Sequence, residues 1–196
     1  MNKQPSSLSI QLPDWLNEYK QPYQESHSLN DKMRFVIGAA QKNIERQSGG
    51  PFSAAVFEAN SGKLLSLGVN LVTTQGLSIL HAELVAISLA QKQLGTYDLS
   101  EADGPFELFT STEPCAMCLG AIPWSGIRRV ICASSGQDAQ AIGFDEGEKP
   151  IDWKAGLNKR GIEVITGVCQ QEAKAVLEYY ASTNGSIYNG SQGKSQ

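Results

Sequence analysis

The chain has 196 residues and a mass of 21.1 kDa, which suits one domain with tails. Apolar residues make up 41% and charged residues 18% of the sequence, and this composition excludes a disordered chain. The net charge of −4 argues against a nucleic-acid partner, because such proteins attract phosphates with an excess of Lys and Arg. The sequence shows no membrane-spanning run and no secretory signal, so we expect a cytoplasmic protein without membrane contact.

The predicted elements alternate between helices and strands. Residues 1–28 are polar and predict an N-terminal arm, residues 29–183 predict the folded domain, and residues 184–196 predict a C-terminal tail. Apolar periodicity predicts helices over 31–47, 81–94, 114–121 and 173–180. Strands are predicted over 52–57, 64–72, 106–110, 129–133 and 162–166. This order favours the α/β class, as a three-layer α/β/α sandwich around a mixed sheet of about five strands.

Two of these helices carry more detailed signals. Asn30 and Asp31 can cap the first helix, and Gly49 and Gly50 end it. The helix over 81–94 is apolar almost all round, which predicts burial between two layers.

Two short motifs carry metal-binding residue types. Cys115 and Cys118 are separated by two residues at a predicted helix start, so both sulfurs share one face and benefit from the helix dipole, which favours thiolates. His81 begins another predicted helix and can add one nitrogen. Two sulfurs and one nitrogen suit Zn²⁺, and three protein ligands leave a fourth position for water, as in catalytic rather than structural sites.

Glu83 follows the predicted histidine ligand by two residues and can move a proton between water and a substrate nitrogen. The alternative for the cysteine pair is redox chemistry, in which case the His-x-Glu motif is coincidental. Cys132 lies in an apolar strand and is predicted to be a core residue. Neither Cys169 nor His27 is predicted to bind metal.

The combination of His81, Glu83 and the Pro-Cys-x-x-Cys segment resembles the cytidine deaminase-like zinc deaminase superfamily over roughly residues 29–180. The segment 110–122 resembles the purine-acting branches, which are guanine deaminases and tRNA adenosine deaminases, and the segment 141–147 is similar to that of bacterial guanine deaminases. This resemblance implies zinc-dependent hydrolysis of guanine to xanthine and ammonia, with Glu146 as a second proton shuttle beside Glu83. It also implies a homodimer, in which the protomers can exchange the C-terminal tail.

The substrate pocket is predicted from residue chemistry and from the resemblance together. Guanine presents N–H donors, so acceptors such as Asp145 and Glu146 suit it, although acidic turns are often simply solvated. The resemblance places Asn70 on the base, while Phe52 and Phe144 can stack on it or belong to the core. It further suggests contacts from the Ala82 backbone N–H and from Tyr188, which can close the pocket.

Three other functions remain open at this point. One is deamination of another small amino-heterocycle, namely cytosine, guanosine or an aminotriazine such as ammeline. A second is tRNA adenosine deamination, which the acidic charge and the lack of a basic terminal helix disfavour. The third is a zinc-stabilised binding module, which requires a fourth protein ligand that the motifs do not supply.

Overall fold

The computed structural model describes residues 4–190. Its strands are β1 Ser53–Glu58, β2 Leu64–Val69, β3 Phe106–Thr112, β4 Arg129–Ser134 and β5 Glu163–Ile165. Its α-helices are α1 Trp15–Lys20, α2 Leu29–Glu45, α3 Val72–Gln75, α4 Ala82–Leu94, α5 Ala116–Ala121, α6 Gly136–Ala141, α7 Trp153–Asn158 and α8 Gln170–Ser182. Short 3₁₀ turns occupy Leu99–Glu101 and Ile122–Trp124.

The five strands form one mixed sheet in the order β2-β1-β3-β4-β5. β1 pairs antiparallel with β2 and with β3, whereas β3-β4 and β4-β5 are parallel. The parallel pairs are joined by connections that contain helices, as parallel pairing requires. The expected mixed sheet of about five strands is confirmed.

Helices cover both faces of this sheet, which confirms the three-layer architecture. Alternate residues of β1 point to opposite layers, as the pleat of a strand requires. Ala55 and Phe57 pack into a core shared with α2 and α8. Ala54 and Val56 pack into a second core shared with α4 and α7. The buried location predicted for α4 follows from this arrangement, since six of its residues are buried.

Several boundaries differ from the sequence prediction. The cap of α2 is Ser28, whose hydroxyl accepts a hydrogen bond from the backbone N–H of Asp31, so the prediction of Asn30 and Asp31 as caps was wrong. β2 ends at Val69, so Asn70 begins the following loop rather than lying within the strand. Four short helices, α1, α3, α6 and α7, were not predicted, because each contains at most six residues and shows no apolar period.

The segment predicted as an arm contains α1, and α1 packs against α2. Trp15 and Leu16 are buried in the first core. The Tyr19 hydroxyl donates a hydrogen bond to the carbonyl of Phe35, at 2.7 Å. The Tyr23 hydroxyl donates to the carbonyl of Gly62, at 2.8 Å. Much of the predicted arm is therefore attached to the domain.

A buried ion pair links α2 to the centre of the sheet. The Nζ of Lys32 lies 2.5 Å from Oε1 of Glu107, and both side chains are 2% exposed. Arg129 approaches the other carboxylate oxygen at 3.4 Å. The Lys32 ammonium also lies over the rings of Phe57 and Phe109. Such a pair is strongly destabilised when one partner is removed.

Within residues 4–190, none of the helices has both the length and the apolarity needed to cross a membrane.

Candidate active site

Three side chains predicted to bind metal meet at the starts of α4 and α5. His81 is the residue that precedes α4, Cys115 precedes α5, and Cys118 lies within α5. Their ligand atoms all lie within 4.8 Å of one another, and Sγ of Cys115 is 3.5 Å from Nδ1 of His81. In the described part of the chain, this is the one cluster of three or more His, Cys, Asp or Glu residues with metal-binding geometry. Two sulfurs and one nitrogen fit zinc and leave one tetrahedral position open.

Close packing of α4 on β2 fixes the position of His81. A Cβ atom on Gly68 of β2 would lie 2.5 Å from the carbonyl oxygen of Ala82 and 2.5 Å from the backbone nitrogen of Ala86. Only glycine allows this approach, because real side chains do not reach such distances. The first turn of α4, which follows His81, therefore rests directly on the sheet.

The two cysteines differ in their protonation. A hydrogen bond with Cys118, opposed by burial and aided by His81, lowers the pKa of Cys115 to about 4. The same hydrogen bond and burial raise the pKa of Cys118 well above its usual value. Burial lowers the pKa of His81, but its contact with Cys115 and the negative charges of Glu83 and Glu146 together outweigh this effect, so the net shift is upward. A lowered pKa favours the thiolate form of Cys115, which is the form that binds metal.

Glu83 lies beside this cluster in the first turn of α4. It is 7% exposed and lines the same cavity as His81 and Cys115. Burial, together with the negative charge of Cys115, raises the pKa of Glu83 to about 6. A carboxyl group with a pKa close to neutrality is suited to accept and return a proton.

Glu146 faces the cavity from a loop between α6 and α7. Its carbonyl accepts a 2.9 Å hydrogen bond from the backbone N–H of Ala116, which ties the loop to the start of α5. The side chain is buried, and its Oε2 atom has no hydrogen-bond partner. Burial, followed by the charge of Cys115, raises the pKa of Glu146 to about 8. The neighbouring Asp145 also lines the cavity, but it is exposed and its Oδ1 accepts the N–H of Gly147 within the loop.

Aromatic rings form one wall of the cavity. Phe144 makes edge-to-face contacts with Phe52 and with Tyr188, at centroid distances of 4.9 and 5.0 Å. The tail that carries Tyr188 is held by Asn189, which accepts from the N–H of Asp145 and donates to the carbonyl of Gly143. In the structure this tail lies against the pocket of its own chain.

Asn70 lies deep in the cavity, just after β2. Its Oδ1 accepts a hydrogen bond from the N–H of Val72, while its Nδ2 is buried and has no partner. The amide therefore presents an N–H donor to the cavity, which has a volume of about 340 Å³. This volume lies within the range of small-molecule sites, about 300–1,000 Å³.

Most of the predicted site residues line this one cavity. They are Phe52, Asn70, His81, Glu83, Cys115, Phe144, Asp145, Glu146 and Tyr188. Cys118 is fully buried behind them, within reach of the same metal position. Ala82 is fully buried as the first residue of α4 and is not among the residues that line the cavity. The contact predicted for its backbone N–H stays a prediction.

Two further cysteines and a second histidine lie outside the motifs. Cys132 is buried in β4, and burial raises the pKa of its thiol. Cys169 and His27 lie outside the metal cluster, and His27 is exposed.

Two residues that line the cavity and connect the elements around it were not predicted from the sequence. Glu113 accepts a hydrogen bond from the N–H of Gly136 and pairs with Lys149, at 3.5 Å, which joins β3 to the loop of Glu146. The sequence signal for Glu113 was its position directly before the Pro-Cys motif. Asn189 was missed because the tail composition alone predicts a frayed end.

Comparison with known proteins is consistent with this geometry. Residues 26–134 match the family model of the cytidine and deoxycytidylate deaminase zinc-binding region. The guanine deaminase of Bacillus subtilis is 38% identical over 114 residues, which cover 58% of this chain and 69% of that protein. A solved structure of guanine deaminase from Nitrosomonas europaea is 42% identical with a TM-score of 0.87, covering 92% of this chain and 100% of that one. A further solved structure, in complex with 2,6-diaminopurine, is 44% identical with a TM-score of 0.88 and covers 93% and 97% of the two chains.

The matched region includes both halves of the metal cluster and the glutamate beside it. The superfamily expected from the motifs is confirmed, as is its zinc chemistry. The chain belongs to the cytidine and deoxycytidylate deaminase family of zinc-dependent hydrolytic deaminases.

Proposed function

We propose that this protein deaminates guanine to xanthine and ammonia. The observation that carries the proposal is a pair of buried carboxyl groups, Glu83 and Glu146, that line one base-sized cavity beside the metal cluster. The pKa of each group is raised toward neutrality, to about 6 and about 8. Relatives named guanine deaminases, at 38% and 42% identity, support the choice of purine.

In the proposed reaction, each carboxyl group transfers a proton to a specific atom of the substrate. Zinc held by His81, Cys115 and Cys118 would supply an activated water as the nucleophile. Glu83 accepts a proton from that water as oxygen adds to C2 of guanine, and delivers it to ring nitrogen N3. C2 then carries both oxygen and the amine.

The second half of the reaction expels the amine. Glu146, protonated at neutral pH because of its raised pKa, donates a proton to the amino nitrogen, with Glu83 as the alternative donor. The C2–N bond breaks with its electron pair on nitrogen, and the hydroxyl on C2 gives its proton to the carboxylate that protonated the amine as the C2 carbonyl forms, so that ammonia and xanthine result. The unpartnered Oε2 of Glu146 is the atom available for this contact.

Recognition of the base is assigned to groups that line the cavity. The Nδ2 of Asn70 donates to a ring acceptor, because its Oδ1 is already occupied. Phe52, Phe144 and Tyr188 provide flat apolar surface against the ring. Asp145 supplies an acceptor at the cavity rim.

A substrate panel tests the proposal directly. Zinc-loaded protein is incubated separately with guanine, guanosine, adenine, cytosine and ammeline, and ammonia and the deaminated product are measured. We expect xanthine and ammonia from guanine at the highest kcat/KM. Faster turnover of another heterocycle would identify that compound as the substrate in place of guanine. Absence of ammonia from every compound would favour a binding module.

Transfer RNA adenosine deamination is the competing family activity. A filter-binding titration with tRNA over a range of salt concentrations separates it from base deamination, since phosphate contacts make binding strongly salt-dependent. With a net charge of −4, we expect no tight tRNA complex. Tight, salt-sensitive binding with inosine formation would contradict the assignment to a free base.

We further propose that the protein acts as a cytoplasmic homodimer. Trp124 is 81% exposed and Met117 of the nearby α5 is 37% exposed, an apolar surface close to the active site that suits a second copy of the chain. Light scattering of the wild type and of Trp124→Glu measures the mass. We expect a dimer that Trp124→Glu weakens. Removal of residues 187–196 then tests whether the tail is exchanged between protomers.

A further inference from the structure

A series of linked hydrogen bonds lies behind Asn70, on the side away from the cavity. Its central member is Asn43 of α2, which is fully buried and contributes nothing to the cavity lining. The Nδ2 atom of Asn43 donates to the carbonyl of Gly50, at 2.8 Å, and to the carbonyl of Asn70, at 3.0 Å. Its Oδ1 accepts from the Ser48 hydroxyl, at 2.8 Å. Every side-chain polar atom of Asn43 is therefore paired.

These hydrogen bonds continue outward to the N-terminal helix α1. The indole nitrogen of Trp15 donates to the Ser48 hydroxyl, at 3.0 Å. Trp15 is itself buried against α2. The connection thus runs from α1 through Ser48 and Asn43 to the backbone of Asn70.

The backbone around these hydrogen bonds is closely packed. A Cβ atom on Gly49 would lie 1.8 Å from the carbonyl oxygen of Asn70 and 2.9 Å from Nδ2 of Asn43. The N–H of Asn70 donates to the carbonyl of Phe52, at 2.9 Å. Asn70 is therefore held at both backbone polar groups, and its side-chain Oδ1 is held by Val72.

We infer that Asn43 is a positioning residue that sets the place of the Asn70 amide, so that the N-terminal helix contributes to recognition of the base. The inference rests on the proposed function, because it assumes that Asn70 contacts guanine. Asn43 acts through Asn70 and does not touch substrate. Its loss should weaken binding of guanine while leaving the metal cluster and the two carboxyl groups in place.

A double-mutant cycle between Asn43 and Asn70 tests this coupling. Steady-state kinetics with guanine are measured for the wild type, Asn43→Ala, Asn70→Ala and the double variant, together with zinc content. We expect Asn43→Ala to raise KM about tenfold and to change kcat by less than about threefold, because a buried hydrogen-bonded donor is lost. In the Asn70→Ala background the same substitution should change KM by less than about twofold, since coupled positions are not additive.

Two further variants make the result decisive. Ser48→Ala removes the contact with Oδ1 of Asn43 and should raise KM about threefold in the wild type but not in Asn70→Ala, so it replaces Asn43→Ala if that variant does not fold. Ser125→Ala removes a buried hydroxyl that donates to the Ile122 carbonyl outside the cavity, and it should leave KM unchanged.

The outcomes separate this inference from the proposed function. Wild-type protein that does not turn over guanine overturns both. Turnover by the wild type with equal effects of Asn43→Ala in both backgrounds overturns the positioning role alone, because a purely structural loss adds independently of Asn70.

Discussion

Glu83 is placed to move protons without holding the metal. We expect Glu83→Gln to lower kcat by about 10²–10⁴-fold, because the amide retains the shape of the side chain but cannot accept a proton. Zinc content, measured by metal analysis, should equal that of the wild type, since Glu83 lies outside the three-residue cluster. Glu45→Gln, at an exposed position in α2, is the matched control and should keep full activity. Near-normal kcat in Glu83→Gln would contradict the assigned role.

Glu146 links protonation to stability. Burial raises its pKa from 4.5 to about 8, so between these values the folded protein binds a proton that the unfolded chain releases. The contribution of Glu146 to the free energy of unfolding therefore falls as pH rises through this window. Glutamine does not titrate, so this decrease in the free energy of unfolding is absent from Glu146→Gln.

We thus expect the Tm of Glu146→Gln, minus that of the wild type, to become more positive from pH 5 to pH 8. Differential scanning calorimetry of both proteins in the same zinc-containing buffers measures the difference. A difference that is constant with pH would mean that Glu146 titrates alike in the folded and unfolded states.

The metal ligands and Glu83 could be predicted from the sequence because close spacing and helix starts place them. Glu146 required the resemblance, since an acidic loop by itself is usually solvated. Asn43 could not be found, because its partner Asn70 lies 27 positions along the chain and their contact exists only after α2 packs on the sheet.

At the scale of elements, the contact between α4 and β2 controls the metal site. Gly68→Ala inserts a methyl group 2.5 Å from the backbone of α4, and we expect it to lower the free energy of unfolding by about 1–3 kcal/mol. Because His81 precedes this helix, zinc should also bind more weakly. Urea denaturation and competition with a chelator measure the two effects.

The matched control is Gly156→Ala in α7. A Cβ atom there meets nothing within 4 Å, and alanine is preferred over glycine in helices by about 1 kcal/mol. We expect unchanged or slightly increased stability and normal zinc binding. Equal behaviour of the two variants would show that the α4-β2 contact does not position the site.

The long helices could be predicted from their apolar pattern, whereas the short helices α1, α3, α6 and α7 could not; the six-residue α5 was predicted because Pro114 marks its start. α2 and α4 contain 17 and 13 residues, enough to show an apolar pattern. The six-residue helix α6 offered only its capping box, Ser135 with Asp138, a local signal that the apolar pattern does not reveal. α1 was hidden because its buried face has only Trp15 and Leu16.

At the scale of the whole molecule, the buried pair of Lys32 and Glu107 joins one helical layer to the sheet. We expect Lys32→Met to lower the free energy of unfolding by about 3 kcal/mol, the lower end of the range for a broken buried pair, because Arg129 still approaches Glu107. Urea denaturation measures the change. Arg34→Ala, which breaks an exposed pair with Glu172, should lower the free energy of unfolding far less, because solvent-exposed ion pairs contribute little to stability. A loss from Lys32→Met no larger than that of Arg34→Ala would contradict the expectation.

The aromatic wall of the cavity has a consequence for engineering. Tyr188 is held there mainly by its ring contact with Phe144 and by the two hydrogen bonds of Asn189. The metal cluster and Glu83 are built into the starts of α4 and α5, and the loop of Glu146 is also tied to α5 through the N–H of Ala116. Redesign of Ile187 and Tyr188, with Asn189 kept to hold the Glu146 loop, can therefore widen the entrance for bulkier heterocycles while the reaction centre keeps its chemistry.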